Sequence, residues 1–405
     1  MNRENLTKFK CAIIGGGASG LALSILLSRK FGGHNVSLFE MQDRVGKKLL
    51  TTGNGQCNLT NADLNLSHFH SGFKGFCSNI VKENGNEEIK AFFNDFGILT
   101  VNDGGKIYPL SKQASSVVDA LRFKVLSLNV QTFLNTQIVK ISKKNNAFSL
   151  QTLNGEFYTA ENVIVSVGGN SYKSKYSPYS LLENLGHKIT KLYPSIVQLK
   201  TNLNEVKGLK GLKQKAKVTA ILNGKEITST IGDLLFTDYG VSGNSIFYLS
   251  SYLVDKTNAK ISVDFCPDLS LEELTNFIKN KQRNCSYLTG EHLLSGVMNG
   301  KISCAVIKNS LNKNLNSNVL EFDAERVAKA VKNYSLTIVG SLGYDMAQVT
   351  KGGISVEDFD SKTLESKLVK NLYATGEVLD VDGDCGGYNL TWAFLSAFAV
   401  ANSIK

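Results

Sequence analysis

The sequence predicts an α/β fold whose parallel sheet is assembled from both ends of the chain. Three observations carry this reading. Lys10 to Glu40 runs strand, glycine turn, helix, strand, acid. Asn162 to Val167 is an apolar strand of the buried type that stops at Gly168-Gly169. Leu372 to Thr375 is a second such strand, and Gly383-Asp384-Cys385-Gly386-Gly387 then leads into an apolar helix, Leu390 to Asn402. Short apolar runs closed by glycine are what strands covered on both faces look like in sequence.

The first of these stretches carries chemistry. Cys11 to Ile14 is an apolar run, and Gly15-Gly16-Gly17-Ala18-Ser19-Gly20 fits G-x-G-x-x-G. Gly15 allows the tight turn, Gly17 lets backbone approach a pyrophosphate, and Gly20 lets the helix Leu21 to Phe31 sit close to the sheet. The helix N-terminus at Ala18 and Ser19 offers amides and partial positive charge to phosphate. Asn35 to Phe39 is the second strand, and Glu40 lies twenty residues beyond Gly20. A carboxylate there accepts from both ribose hydroxyls and disfavours a 2′-phosphate, so the site reads as one for FAD or NAD.

Composition bounds the rest. The chain has 405 residues, 42% of them hydrophobic, with a formal net charge of +10 and seven scattered cysteines. That length suits two or three domains. No apolar run approaches the roughly 18–20 residues that span a bilayer. The polar stretch Met1 to Phe9 predicts no signal peptide, and a cytoplasmic location is expected. No C-x-x-C pair argues for a zinc ribbon or a redox dithiol, and no metal-ligand spacing is present. The lysines are spread along the chain with modest clusters such as Lys207 to Lys217, so the charge is weak support for a nucleic-acid partner.

After Glu40, Lys47 and Lys48 precede a loop dense in Gly, Asn and Thr that includes Thr52, Gly53, Asn54, Gly55, Cys57 and Asn58. A loop leaving the second strand at the carboxyl edge of the sheet is placed to line a cofactor. Glu87 to Phe96 reads as a helix, with Ile89, Phe92, Phe93 and Phe96 on one face. A hairpin turns at Asp103-Gly104, and Ala114 to Leu126 is helical. Strands are expected at 130–135, 138–142, 148–153 and 157–160, with Asn154-Gly155 as a hairpin turn. Ser177 to Leu185 begins a further helix.

From Tyr193 the pattern changes. Short alternating segments at 197–201, 216–222 and 226–230 suggest a small antiparallel sheet or barrel. Ile261 to Phe265 adds a strand, and Leu271 to Lys281, Gly290 to Asn309 and Asp323 to Asn333 look helical. The chain then reverts, with strands at Ser335 to Gly340 and Met346 to Thr350. The expected division is residues 1–192 and 336–405 for the nucleotide-binding domain, 193–268 for the barrel and 269–335 for a helical subdomain. A second glycine-rich strand-to-helix junction matters for the cofactor. FAD is long enough to need two helix N-termini, whereas NAD on one simple Rossmann unit needs one, so the preference moves to FAD.

The combination of Gly53 to Asn61, Gly232 to Thr237 with Gly240 to Gly243, Gln348 to Gly353, and Gly376 to Leu390 resembles the YhiN/BaiN-like flavoproteins over nearly the whole chain. These belong to the flavoproteins with two dinucleotide-binding domains and include aminoacetone oxidase-like members. The resemblance implies a Rossmann-like FAD-binding domain built from both chain ends, interrupted by a β-barrel and a small helical subdomain. It implies that the Thr52 to Asn58 loop and the Gly386-Gly387-Tyr388-Asn389-Leu390 junction flank the isoalloxazine. Val139, Val167, Gly168, Gly169 and Gly376 join the candidate cofactor contacts. Three departures stand out: Gln56 where the family has Arg, Cys385 where Thr is common, and Ser396-Ala397 with Ala401-Asn402 where small pairs with Gly are usual.

Glu377 and Asp380 are candidates for hydrogen bonds to ribityl or ribose, against a simpler role in capping the loop. Cys57 and Cys385 are candidates for thiol chemistry, against the commoner inert buried thiol. No histidine stands in a setting that suggests a base: His34, His68, His70, His187 and His292 look scattered. The expected activity is an FAD-dependent oxidoreductase that reduces a small unsaturated or carbonyl compound with electrons from NADH or NADPH. The alternatives are an amine oxidase using oxygen, and a flavin-bearing protein that binds or modifies RNA.

Overall fold

A computed structural model describes residues 8–144, 146–171 and 177–405. Most of the stretch read for a leader, Met1 to Phe9, lies outside those residues. The chain forms two compact units, one from Met1–Tyr193 with Gln348–Lys405 and the other from Pro194–Ala347.

In the first unit the strand Lys8–Ile14 lies at the centre of a seven-stranded sheet. It is parallel to Val36–Phe39 on one side, with Cys11 opposite Val36, and to Phe157–Val165 on the other, with Cys11 opposite Asn162. Gln131–Phe133 extends the sheet beyond Val36–Phe39. The strand Leu372–Ala374 joins in parallel to Phe157–Val165, Val163 facing Leu372, so both chain ends share one sheet. The helices Ala18–Phe31 and Tyr388–Ser403 pack against each other over a common apolar core that includes Leu21, Ile25, Trp392 and Phe394.

The second unit is a closed barrel of six strands: Leu199–Thr201, Gly240–Ser242, Lys225–Phe236, Lys213–Leu222, Ala259–Asp264 and Tyr334–Ser341, in spatial order. The helices Asn244–Leu253, Leu271–Asn284, Gly300–Leu311 and Ala324–Lys332 belong to the same unit. Barrel and helices share one core, in which Val218, Ile261 and Leu336 join Leu274, Val306 and Val327.

Several expectations need correction. Tyr334–Ser341 does not return to the nucleotide-binding domain; it pairs with Ala259–Asp264 and Leu199–Thr201 and closes the barrel. Its inward residues Tyr334 and Leu336 alternate with exposed neighbours, the period-two signature of a barrel wall. The segments read as strands 157–160 and 162–167 are one strand, Phe157–Val165, whose first half also carries the hairpin strand Ala147–Thr152. The strand expected at 226–230 runs for 12 residues, Lys225–Phe236. The helix expected from Gly290 starts only at Gly300, because Gly296 turns the chain at φ +86° and Asn299 caps the helix through Lys301 N. Ser177 to Leu185 yields only the short helix Ser180–Glu183. The strand expected at 346–350 is Val349–Lys351. Asn244–Leu253 was not anticipated; its apolar residues Ile246, Leu249 and Leu253 mark the buried face.

Candidate functional site

The glycine turn is shaped by close backbone approach. A Cβ on Gly15, which has φ +106°, would lie 2.4 Å from Ser166 O, and one on Gly20 would lie 1.9 Å from Gly15 O. Those two glycines are demanded by packing within the fold. Gly17 differs: a Cβ there would meet nothing within 4 Å. Its smallness serves no contact within the chain, as expected where a pyrophosphate comes to lie against the N-terminus of Ala18–Phe31. Glu40 spans the turn. Its Oε2 accepts from Gly16 N at 2.7 Å and its Oε1 from Gln42 N at 2.8 Å. Burial raises its pKa, while the Gln42 and Gly16 amides pull the other way. Each carboxylate oxygen keeps a second lone pair for a ribose hydroxyl.

Lys47 and Lys48 diverge. Lys47 pairs with Asp43 at 2.5 Å, whereas Lys48 reaches across the fold to Glu377 at 2.5 Å and to Ser171 Oγ at 2.7 Å. Glu377 Oε1 also accepts from Thr350 N at 2.8 Å. A Cβ on Gly169 would meet that oxygen at 2.7 Å, so Gly169 passes tightly under Glu377. Gly168, at φ +76°, would place a Cβ 3.9 Å from it. Val167 is half-buried against the core. Glu377 therefore ties the loops after three strands together.

Gly376, at φ +72°, lies between the helices Ala18–Phe31 and Tyr388–Ser403. A Cβ on it would lie 3.1 Å from Ser19 Oγ, its N–H donates to Ser396 Oγ at 3.0 Å, and Trp392 Nε1 donates to its carbonyl at 3.1 Å. Asp380 is buried and accepts from Gly72 N at 3.2 Å; burial raises its pKa. Val139 lies elsewhere, on the edge strand Ile138–Lys144, with two strands between it and Lys8–Ile14.

The loop around Asn58 and the last junction are knitted together. Gly53 and Asn54 both take positive φ, and a Cβ on Gly53 would press on Asn58 N at 3.0 Å. Gly55, at φ +83°, has open space at its Cβ position. Thr52 O accepts from Cys57 N at 3.0 Å. Asn61 Nδ2 donates to Gly386 O at 2.9 Å, and Thr60 Oγ1 lies 2.8 Å from Thr391 Oγ1. A Cβ on Gly387 would lie 2.7 Å from Thr60 O and 2.8 Å from Asn58 Oδ1. Asn58 Oδ1 is itself buried with no hydrogen-bond partner among the described residues. An orphaned acceptor beside an N-terminal helix turn fits a ligand that carries its own donor, as the N–H of a flavin pyrimidine ring does. Leu390, in this first turn, is partly buried against the core. The residues present fit FAD, with two helix N-termini and a polar Asn-rich loop between them.

Cys57 is buried and its pKa is pushed up to about 12 by that burial; burial also raises Cys385. A thiol held un-ionised by burial is a poor nucleophile, which weighs against thiol chemistry at Cys57.

The reading of the histidines as scattered is overturned. Phe69–His70 pairs antiparallel with Asp382–Gly383, with His70 opposite Asp382. His68 Nδ1 lies 2.9 Å from Asp384 Oδ2, and His70 Nε2 lies 2.8 Å from Asp384 Oδ1. The ring of His68 stacks on Tyr388, the first residue of the last helix, at 4.4 Å. Gly383 is held to that helix by a reciprocal pair of bonds with the Asn389 amide, 2.9 and 2.7 Å long. Asp382 is 2% exposed, its Oδ2 has no partner among the described residues, and burial pushes its pKa up to about 7. Burial acts to lower the pKa of His70, but the hydrogen bond to Asp384 and the charges of Asp382 and Asp384 win, and the net direction is upward. The sequence signal was His68-x-His70 and Asp382-x-Asp384, two period-two pairs that face each other only when two short strands meet. Among the described residues no group of His, Cys, Asp and Glu is arranged to hold a metal ion.

The family model described as "HI0933-like protein Rossmann domain" matches residues 9–403. A 3-dehydro-bile acid Δ(4,6)-reductase of Clostridium scindens is 33% identical over 398 residues, covering 96% of this chain and 97% of the relative. A ribosomal RNA dihydrouridine synthase of Escherichia coli is 28% identical over 408 residues, covering 98% of each. Among solved structures, a 3-ketosteroid-Δ4-(5α)-dehydrogenase from Rhodococcus jostii is similar with a TM-score of 0.49 and 11% identity, covering 99% of this chain and 98% of that one. No helix among the described residues is long and apolar enough to cross a membrane.

Proposed function

This chain belongs to the HI0933-like Rossmann family and is an FAD-dependent oxidoreductase, and from that premise we propose that it saturates a carbon–carbon double bond conjugated to a carbonyl group, using NADH or NADPH as electron donor. The observation that carries this is the full-length likeness to a reductase whose name specifies a 3-dehydro substrate with Δ4 and Δ6 double bonds. A 3-oxo group conjugated to such bonds makes the distal carbon electrophilic. Dihydrouridine formation is the same class of reaction, because the uridine double bond is conjugated to a ring carbonyl.

FAD, when bound, supplies hydride chemistry at its ring nitrogen. The chain supplies the rest. Gly15 to Gly20 and the helix they open would hold the pyrophosphate, and Glu40 would take the adenosine ribose. The N-terminus of Tyr388–Ser403 places partial positive charge beside Asn58, where it would favour an electron-rich ring. The bonds from Gly376 to Ser396 and Trp392 fix the end of the strand Leu372–Ala374 against the helix Tyr388–Ser403. A small-molecule acceptor is the leading reading, since the reductase relative is the more similar of the two.

The test is anaerobic. Purified holoprotein is titrated with NADH and NADPH while the flavin absorbance is followed, and the reduced protein is then mixed with a 4,6-dien-3-one steroid or with cyclohexenone. Bleaching by a nicotinamide and recovery on adding the enone support the reading. Recovery with oxygen but with no enone defeats it and favours an oxidase. The second reading, reduction of uridine in ribosomal RNA, has its own support in the dihydrouridine synthase relative and the net charge of +10. It predicts recovery with an rRNA transcript and a steep salt dependence of binding.

A further inference from the structure

The chain from Asp382 to Asn389 leads into the last helix and is held by two segments. The first is the Asn58 to Asn61 stretch: Asn61 Nδ2 donates to Gly386 O, and Gly387 passes tightly against Thr60 O and Asn58 Oδ1. The second is His68 to His70. Phe69–His70 pairs with Asp382–Gly383, and Asp384 N donates to His68 O at 2.9 Å. Asp384, 1% exposed, also receives both imidazoles. Tyr388 stacks on the His68 ring and meets Phe69 edge-on at 5.6 Å. Gly383 and Asn389 lock the ladder to the first turn of the helix.

The second hold depends on protons. His68 faces two carboxylates, with Nδ1 2.9 Å from Asp384 Oδ2 and Nε2 3.3 Å from Asp63 Oδ2. An ionised carboxylate only accepts, so the ring donates to both only as the imidazolium. A neutral ring has one N–H, and one of the two bonds is lost. His70 sits among Asp384, Asp382 and Lys351; burial acts to lower its pKa, but the carboxylates carry it upward. Asp382, with Oδ2 unpartnered among the described residues, faces His70, Lys351, Asp380 and Asp384, and the buried Cys77 thiol lies in the same field. Burial keeps its carboxyl protonated up to about pH 7, and ionisation adds a buried negative charge near Asp380 and Asp384. These changes share one sign. Rising pH removes attraction between the two segments and adds repulsion.

We propose that this ladder is a proton-controlled latch on the cofactor site: protonated, it holds the Gly386-Gly387 junction against the Asn58 loop and keeps FAD bound tightly, and deprotonated it slackens that junction. The inference rests on the FAD reading of the site and is independent of the substrate. Linkage makes the coupling reciprocal, so a chain that binds FAD more tightly when protonated also takes up protons when FAD binds. No group of the latch touches the reacting atoms; His68, His70, Asp382 and Asp384 act by positioning the junction.

The test measures cofactor affinity, not turnover. Holoprotein is diluted in series at about pH 6 and about pH 8.5, and the fluorescence of released FAD gives Kd at each. One group whose pKa differs by about one unit between FAD-bound and FAD-free chain changes Kd about tenfold, so the wild-type Kd should rise about tenfold or more at the higher pH. Asp382→Asn, which cannot ionise, should bind as tightly as wild type at the lower pH and show a smaller rise. His68→Gln, which cannot become a cation, should bind more weakly at the lower pH and also show a smaller rise. Circular dichroism at both pH values should show an unchanged helical signal. A wild-type Kd that is the same at both pH values overturns the latch. So does the full wild-type rise in both variants, and so does FAD release that accompanies loss of the helical signal, since that is global unfolding. Wild-type chain that carries no FAD at either pH and takes up none when it is added overturns the cofactor reading instead, and that result tells the two failures apart.

Discussion

Asp382→Asn isolates the energetic cost of placing a carboxylate in this cluster. The native carboxyl has its pKa pushed from 3.8 to about 7, burial being the main cause and the charges of His70 and Lys351 opposing it. A rise of about 3 pH units at about 1.36 kcal/mol each means that ionised Asp382 costs the fold about 4 kcal/mol. The native pKa lies above the unfolded one, so the native state binds more protons between about pH 4 and pH 7. Stability from this group is complete below the unfolded pKa and is lost as pH rises through about 7. Asparagine is nearly isosteric and carries no charge. The stability of the variant minus that of the wild type should grow from near its low-pH offset at about pH 4 to about 4 kcal/mol above that offset beyond pH 8. Urea unfolding of protein with matched flavin content, repeated across that range, measures the difference. A difference that stays constant with pH would show that Asp382 is not held protonated by its surroundings, and the physical picture of the cluster would fall with it.

Other consequences follow from single contacts. Gly17→Val should leave the fold intact, since a Cβ there meets nothing within 4 Å, yet flavin content should drop at least about tenfold because the branched side chain occupies the pyrophosphate approach. Unchanged absorbance near 450 nm per mole of variant would sink that placement. Trp392→Phe removes the bond to the buried Gly376 carbonyl and should cost about 1–3 kcal/mol in denaturant unfolding; a loss below about 0.5 kcal/mol would mean that water replaces the indole N–H. Cys57, with its pKa pushed up to about 12, should resist iodoacetamide in the native protein at pH 8 and react once unfolded, as peptide mass mapping would show. Rapid native labelling at Cys57 would contradict its burial.

The nucleotide-binding half was legible because its signals are local. Gly15, Gly17 and Gly20 stand at fixed spacing, Glu40 follows the second strand, and the apolar runs at 162–167 and 372–375 are too short and too uniform for anything but buried strands. Backbone geometry within a turn depends on residues a few positions apart, and the sequence states those directly. The strand Tyr334–Ser341 was assigned to the wrong part of the fold for the opposite reason. Its pattern says strand, but its partners Leu199–Thr201 and Ala259–Asp264 lie far away in the chain, and pairing is decided by which edge is left open when a barrel closes. Asn244–Leu253 was passed over beside a glycine-spaced loop whose turn signals were stronger than its own amphipathic pattern.

By itself, then, the amino-acid order determined a parallel sheet drawing on both ends of the chain, a tight glycine turn between the first strand and helix, and an Asn-rich loop ahead of a second glycine-rich helix junction. Only the tertiary structure decided that His68 and His70 meet Asp382 and Asp384, residues more than 300 positions away, on a ladder of two short strands. It also decided that Glu377 is shared between Lys48 and Thr350. The physical reason is range. Turn and helix propensities act over a few residues, whereas the proton affinity of a side chain depends on burial and on charges a few ångströms away in space, and the chain brings those together only when it has folded.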